Sequence, residues 1–213
     1  MRRTFASLLL STSALAACGD DGGSGVRVDA RPVGMDAPVE CQAEAAYGMP
    51  TLADSFAGRD VETMPEVVYY NGSMNTDYDD LTIELYKGFG AFTKTEIEPG
   101  TIQLTGDEAD YYTCGACVLI YANWNRDTEE AAMVYLAIGG TLTISQVTPN
   151  IQGTLLNASF VHVDIDEEGA STPSPDACAS SIEQVAFDAV VETDPPKAFA
   201  PGPRARARHR AHR

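Results

Sequence analysis

Apolar and polar residues alternate with a period of two along much of this chain, and no stretch sustains the 3.6-residue period of a helix. In Leu81-Thr82-Ile83-Glu84-Leu85-Tyr86, the residues Leu81, Ile83 and Leu85 share one face, and Thr82, Glu84 and Tyr86 share the other. Gly140-Thr141-Leu142-Thr143-Ile144-Ser145 repeats the pattern with Leu142 and Ile144 inward. Near the end Val185, Phe187, Ala189 and Val191 point one way, Gln184 and Asp188 the other. In such strands the apolar set faces the core, so Ile83→Asp is expected to unfold the domain. Glu84→Lys, one residue along, is expected to be nearly silent.

Two further segments are apolar on both faces and read as central strands: Cys117 to Tyr121 and Met133 to Ile138. The polar stretch Asn123 to Glu130 between them reads as a turn that makes the two a hairpin. A long strand is expected from Thr154 to Ile165, and shorter ones over Glu66 to Tyr70 and Thr101 to Leu104. Asn71-Gly72, Pro99-Gly100, Thr105-Gly106-Asp107, Gly139-Gly140 and Pro149-Asn150 read as the turns. About eight strands with short connections leave no room for crossover helices. The expectation is an all-β fold: an antiparallel two-sheet sandwich or jelly roll, with a closed barrel as the alternative.

The first residues follow a different logic. Arg2 and Arg3 precede an apolar stretch from Phe5 through Leu8, Leu9 and Leu10 to Leu15, and small residues then lead to Cys18. Basic, apolar and small-residue regions in that order make an export signal. The apolar part is shorter than the roughly 20 residues a bilayer span needs. Leu15-Ala16-Ala17-Cys18 resembles the lipobox of bacterial lipoproteins. That resemblance implies a diacylglyceryl group on Cys18, export, and a membrane partner engaged through the lipid. Gly19 at the next position points to the outer membrane by the same analogy.

The expected organisation is a signal peptide over 1–17, a lipidated tether over 18–40, a β-sandwich domain over 41–192 and a Pro/Arg-rich tail over 193–213. The tether (Gly19-Asp20-Asp21-Gly22-Gly23-Ser24-Gly25, then Pro, Ala and Asp) has little to bury. The tail, with five arginines after Pro203, cannot pack and is expected to be disordered.

The net charge of −17 hides a segregation. All 31 acids lie between Asp20 and Asp194, where only six bases stand against them, a net of −25. Such a body repels phosphate backbones, so no nucleic-acid partner is expected. Beyond Cys18 there are four cysteines, Cys41, Cys114, Cys117 and Cys178. An even number in an exported chain reads as two disulfides, with three pairings open. Cys41–Cys178 with Cys114–Cys117 is favoured, because one pair brackets the domain and the other is nearly adjacent.

Candidates for chemistry are few. Cys114-Gly115-Ala116-Cys117 has redox spacing, but it runs straight into a strand rather than a helix N-terminus, so a structural bridge is expected. His162, the body's single histidine, reads as an exposed strand residue, and no nucleophile-elbow motif accompanies it. Asp77, Asp79 and Asp80, and Asp164 with Asp166, are candidate oxygen ligands for calcium, although neither run matches an EF-hand loop. No other cofactor is expected. Aromatics recur near turns, among them Tyr69, Tyr70, Tyr78, Tyr86, Phe89, Phe92, Tyr111, Tyr112, Tyr121 and Trp124. Most are expected to fill the core and its rim; exposed ones could stack on sugars.

Gly140-Thr-Leu-Thr-Ile-Ser-Gln-Val-Thr with Gly153-Thr-Leu-Leu-Asn-Ala-Ser-Phe, Asp80-Leu-Thr-Ile-Glu-Leu-Tyr and Thr113-Cys-Gly-Ala-Cys-Val-Leu-Ile-Tyr resemble strand segments of β-sandwich lipoproteins from bacterial envelopes. That resemblance implies a fold and a location and carries no catalytic residues. The functional expectation is a lipid-anchored envelope protein, non-enzymatic, structural or ligand-binding, its protein or glycan ligand open. The alternative is a surface carbohydrate-binding protein or a hydrolase using two carboxylates as acid and base.

Overall fold

In the computed structural model of the chain, the described residues are 40–193, except 62–64, 76–77, 95 and 167. Nine strands lie among them: β1 (Ala53–Asp60), β2 (Val67–Ser73), β3 (Asp80–Tyr86), β4 (Gly100–Gln103), β5 (Ala116–Ala122), β6 (Met133–Gln146), β7 (Asn150–Ile165), β8 (Ser171–Pro173) and β9 (Ala179–Glu192). Two 3-10 turns, Gly90–Phe92 and Gly106–Ala109, are the only helical elements of the described residues.

The strands join in the order β4-β6-β5-β3-β2-β1-β9-β7-β8, and β6 also pairs with β7. The sheet therefore closes into a ring, with β4 and β8 attached outside it, in a sandwich-like, all-β arrangement. Every pairing is antiparallel except the two-residue contact of β1 with β9. β6 and β7 run together over most of their lengths. The first part of β6 pairs with β5 and the second with β4.

Most expected strands are present, with three corrections. Met133–Ile138 and Gly140–Ser145 are one strand, not two. Gly139 and Gly140 make a bulge within it, where Gly140 (φ 115°) faces Ala158 too closely for a side chain. Asn71-Gly72 is not a turn but lies inside β2, because Asn71 pairs with Phe56 and Thr82 and Gly72 with Leu81; Tyr70 and Ser55 approach Gly72 where a Cβ would stand. β1 and the short β8 were not foreseen: Ala53–Asp60 mixes charge and glycine without alternation and is a strand because β2 supplies its ladder, and Ser171–Pro173 pairs with the end of β7.

Alternation decides the interior. Val68 and Tyr70 of β2, Leu81, Ile83 and Leu85 of β3, and Val118 and Ile120 of β5 pack with Leu142, Leu155, Phe160, Val185 and Phe187 in one core. A second cluster lies on the opposite faces of the same strands: Val67, Tyr86, Cys117, Leu119 and Leu136, with Tyr111, Cys114 and Val163. This is why β5 and the start of β6 read as apolar on both faces.

The second cluster overturns the expectation for Glu84. Glu84 and Thr82 do point away from the main core, but both are buried, Glu84 to 2 % exposure. Tyr86 and Tyr111 each donate a hydroxyl hydrogen bond to Glu84 Oε2 at 2.8 Å. The segment that brings Tyr111 over β3 is fixed by Glu108, whose carboxylate accepts the backbone N–H groups of Ala91, Gly115 and Ala116. The two loops touch at Gly115, where a Cβ would stand 2.2 Å from the Phe89 carbonyl oxygen.

Both disulfides have the expected partners. Cys41–Cys178 spans 137 residues with Cα atoms 5.5 Å apart, and Cys114–Cys117 closes a turn with Cα atoms 5.3 Å apart. By the chain-entropy model the long bridge contributes about 5 kcal/mol and the short one about 2 kcal/mol.

Two predictions follow from this packing. Ile83→Asp and Glu84→Lys should both destabilise the domain by several kcal/mol, one by burying a charge in the core, the other by setting an ammonium among buried tyrosines. A thermal melt of Glu84→Lys that matches wild type would mean that the outer face of β3 is open to water. Cys114 and Cys117 are fully buried, whereas Cys41 is exposed. Mild reductant on the folded protein should therefore release the thiols of Cys41 and Cys178 while leaving Cys114–Cys117 closed. Mass spectrometry after alkylation reads the difference, and reduction of both bridges at equal rates would contradict the burial.

Candidate functional site

Two connections meet at one end of the ring. The β2–β3 connection supplies Met74, Asn75, Tyr78 and Asp79, and the β5–β6 hairpin loop supplies Asn123 to Ala132. They are tied directly, Trp124 N–H donating to the Tyr78 carbonyl at 2.9 Å. Beneath that contact Asp79 is 2 % exposed and acts as the knot. Its Oδ1 accepts the Asn123 backbone N–H at 2.8 Å; its Oδ2 accepts the Tyr47 hydroxyl at 2.6 Å and Asn75 Nδ2 at 2.8 Å. One carboxylate thus holds three segments of chain.

Asp80 starts β3 at 1 % exposure and accepts the Ser73 hydroxyl at 2.5 Å. Arg126 reaches in from the hairpin loop, its Nη2 lying 3.4 Å from both Ser73 Oγ and Asp54 Oδ2. The Arg126 guanidinium also stacks on the Tyr78 ring, 4.7 Å from its centroid. On the far side Tyr121 and Trp124 pair edge to face at 5.5 Å. Tyr78 (φ 60°), Asn123 (φ 51°) and Glu129 (φ 56°) all take left-handed backbone. That is costly for a bulky ring such as Tyr78, and here the hydrogen bonds of Trp124 and Asp79 hold it.

The result is a cavity of about 420 Å³ lined by Tyr78, Asn123, Trp124, Asn125, Arg126 and Asp127. Burial pushes the Tyr47 hydroxyl far up, and its bond to Asp79 pushes it further, so it stays a donor. Burial also raises the Asp80 carboxyl above its ordinary value of 3.8, with Ser73, Arg126 and Asn71 pulling it part of the way back.

The other candidates fall elsewhere. Asp77 and Cys18 lie outside the described residues. Asp79 and Asp80 both stand beside the cavity, but their carboxylates are taken up by the donors just named. Asp164 is exposed on β7, and Asp166 closes the β7–β8 turn by accepting the N–H groups of Glu168 and Ala170. Among the described residues no group of three or more His, Cys, Asp or Glu is placed to hold a metal ion. Cys114–Cys117 is sealed within the second apolar cluster and leads into β5, with no α-helix among the described residues.

His162 is not the exposed residue expected. It is half-buried on β7 beside the Tyr135 ring, and its Nδ1 lies 2.6 Å from Asp176 Oδ2. The Cys178 backbone N–H, and then His162, hold the Asp176 carboxyl below its usual range. This pair pins the β8–β9 loop next to the long disulfide.

Of the expected aromatics, Tyr69, Tyr70, Tyr86, Phe92 and Tyr111 are buried, while Tyr78 and Tyr112 are exposed. Tyr78 and Trp124 were within the sequence-based set; Arg126, Asn123, Asn125 and Tyr47 were not. The readable signal was an aromatic, two amides and a guanidinium within four residues, Asn123-Trp124-Asn125-Arg126, in what otherwise passed for a polar turn. No protein-family model, curated protein or solved structure matches this chain.

The raised Asp80 carboxyl gives a pH prediction. A folded-state pKa above the unfolded 3.8 means that the folded chain binds this proton more tightly. The group's contribution to stability is therefore complete below 3.8 and is lost as pH rises through the folded value. Asp80→Asn imitates the protonated form at every pH. Its melting temperature should match wild type near about pH 4 and exceed it by a growing margin toward about pH 7. A margin independent of pH would show that Asp80 is not the strained group.

Proposed function

We propose that this protein is a lipid-anchored component of the bacterial cell envelope that presents a ligand-binding β-domain, with the cavity between Tyr78 and Trp124 as its binding site. The anchor rests on Leu15-Ala16-Ala17-Cys18 and the basic and apolar residues before it, and Gly19 favours the outer membrane. The binding role rests on one observation above the rest. Two loops of the ring, each with left-handed backbone, are tied by a buried carboxylate, and between them they set aromatic, amide and charged side chains around an open hollow of about 420 Å³. Binding sites are recessed, largely preformed, and carry a few placed polar groups among rings. A carboxylate-dependent hydrolase needs two carboxyls facing across a cleft. Among the described residues lining this cavity, Asp127 alone carries one. The geometry therefore favours holding a ligand over cleaving it.

One experiment on two variants tests both parts. Cys18→Ala should leave the membrane pellet for the soluble fraction or accumulate as precursor; unchanged attachment would end the anchor reading. Trp124 is the only tryptophan of the chain and so reports the cavity alone. Its emission should respond saturably to at least one member of a panel of sugars, organic anions and organic cations, and Tyr78→Ala should weaken that response. Emission indifferent to the whole panel, with no heat in calorimetry, would withdraw the binding reading.

A further inference from the structure

We infer that the ligand of this cavity is a neutral saccharide, its ring face set against the Tyr78 and Trp124 side chains and its hydroxyls on Asn123, Asn125, Arg126 and Asp127. The inference rests on the binding reading above and names the ligand's chemistry.

Charge removes the alternatives one at a time. An anion would need an uncompensated cation. Arg126 is the cation of this cavity, and it is answered by Asp54 at 3.4 Å and by the buried Asp80 charge. Asp127 adds another carboxylate to the rim. The net −25 between Asp20 and Asp194 repels an approaching anion before it arrives. An organic cation would seek the face of an aromatic ring. Arg126 already sets a guanidinium 4.7 Å from the Tyr78 ring centroid, and its positive charge repels a second cation from that mouth while leaving a neutral ring unopposed. A wholly apolar ligand would strip water from two amides, a guanidinium and a carboxylate and return no hydrogen bonds.

A sugar hydroxyl both donates and accepts, and the amides present one of each. Asn123 Nδ2 donates to Gln42 Oε1 at 2.8 Å, which turns its carbonyl oxygen toward use as an acceptor. Asn125 Oδ1 already accepts the N–H groups of Asp127 and Thr128, which leaves its amide N–H as the donor. These bonds fix both side chains before a ligand arrives, so little rotamer freedom is lost on binding. The C–H face of a pyranose supplies the apolar surface that the rings require.

The test uses the full domain with its disulfides intact. Trp124 emission and calorimetry are followed on adding neutral oligosaccharides of glucose, mannose, galactose and N-acetylglucosamine. Trigalacturonate serves as the anionic counterpart and choline as the cation. At least one neutral oligosaccharide is expected to bind saturably, and more tightly than trigalacturonate; choline is expected to leave the emission unchanged. Tyr78→Ala should weaken binding on the order of tenfold or more. Asn125→Ala, exposed and distant from the core, should weaken it while leaving the domain folded with a single cooperative melt, which covers the case in which Tyr78→Ala unfolds the protein. Thr143→Ala, on β6 away from the cavity, should leave affinity as it was. Binding of trigalacturonate or choline alone would overturn the neutral-saccharide inference and leave the binding site standing. Silence toward every neutral oligosaccharide would overturn the inference outright. A response that survives both Tyr78→Ala and Asn125→Ala would place the ligand elsewhere and overturn inference and site together.

Discussion

Among the described residues four carboxylates are buried, Asp79, Asp80, Glu84 and Glu108, and the structure depends on how each is satisfied. A buried charge is tolerated only where hydrogen bonds replace water. Between residues 40 and 193 the chain has just four bases, Arg59, Lys87, Lys94 and Arg126. Arg59 pairs with Glu66, and Lys87 with Glu96 and more distantly with Glu66, all near the surface. The buried acids must therefore use neutral donors: three backbone N–H groups for Glu108, two tyrosine hydroxyls for Glu84, and an N–H, a hydroxyl and an amide for Asp79. Asp80 alone has a guanidinium nearby, and burial still outweighs it.

Each of these acids joins segments far apart in the chain. Glu108 locks the loop that carries Tyr111; Tyr111 reaches Glu84 and closes the outer face of β3; the second apolar cluster then has something to pack against. Asp79 does the same at the end of the ring, where it turns two connections into one rigid mouth. Rigidity matters for the proposed function because a preorganised site loses less freedom when a ligand arrives. The same rigidity explains how Tyr78 can be held at φ 60°.

The long disulfide and the His162–Asp176 pair act at one place. Cys178 is bridged to Cys41, and its backbone N–H donates to Asp176, which in turn meets His162 on β7. The segment from Cys41 to Gly48 is thereby laid along β9, with Tyr47 N–H donating to the Ser181 carbonyl. That placement delivers the Tyr47 hydroxyl to Asp79. A bridge that reads in the sequence as a staple thereby also helps position the carboxylate that ties the two loops beside the cavity.

Local pattern was enough to determine most of the strands and the main core. Period-two alternation in Leu81–Leu85, Leu142–Ile144 and Val185–Val191 assigned the side chains of the main core, because a strand sends successive residues to opposite faces whatever its neighbours. The parity and spacing of the cysteines favoured the pairing that is present. What alternation could not determine is whether the other face meets water. Glu84 reads as a surface residue because Tyr86 beside it does not by itself close the face; Tyr111, 27 residues away, does. Gly139-Gly140 and Asn71-Gly72 read as turns because glycine permits one, yet the neighbouring strand decides between turn and continuation. The cavity is the same case: Tyr47, Tyr78, Asp79 and Arg126 come from three separate segments. No local period marks residues that meet only when the ring closes, so the sequence determined most strands and the main core, and tertiary contact alone decided β1, the covered outer face and the site.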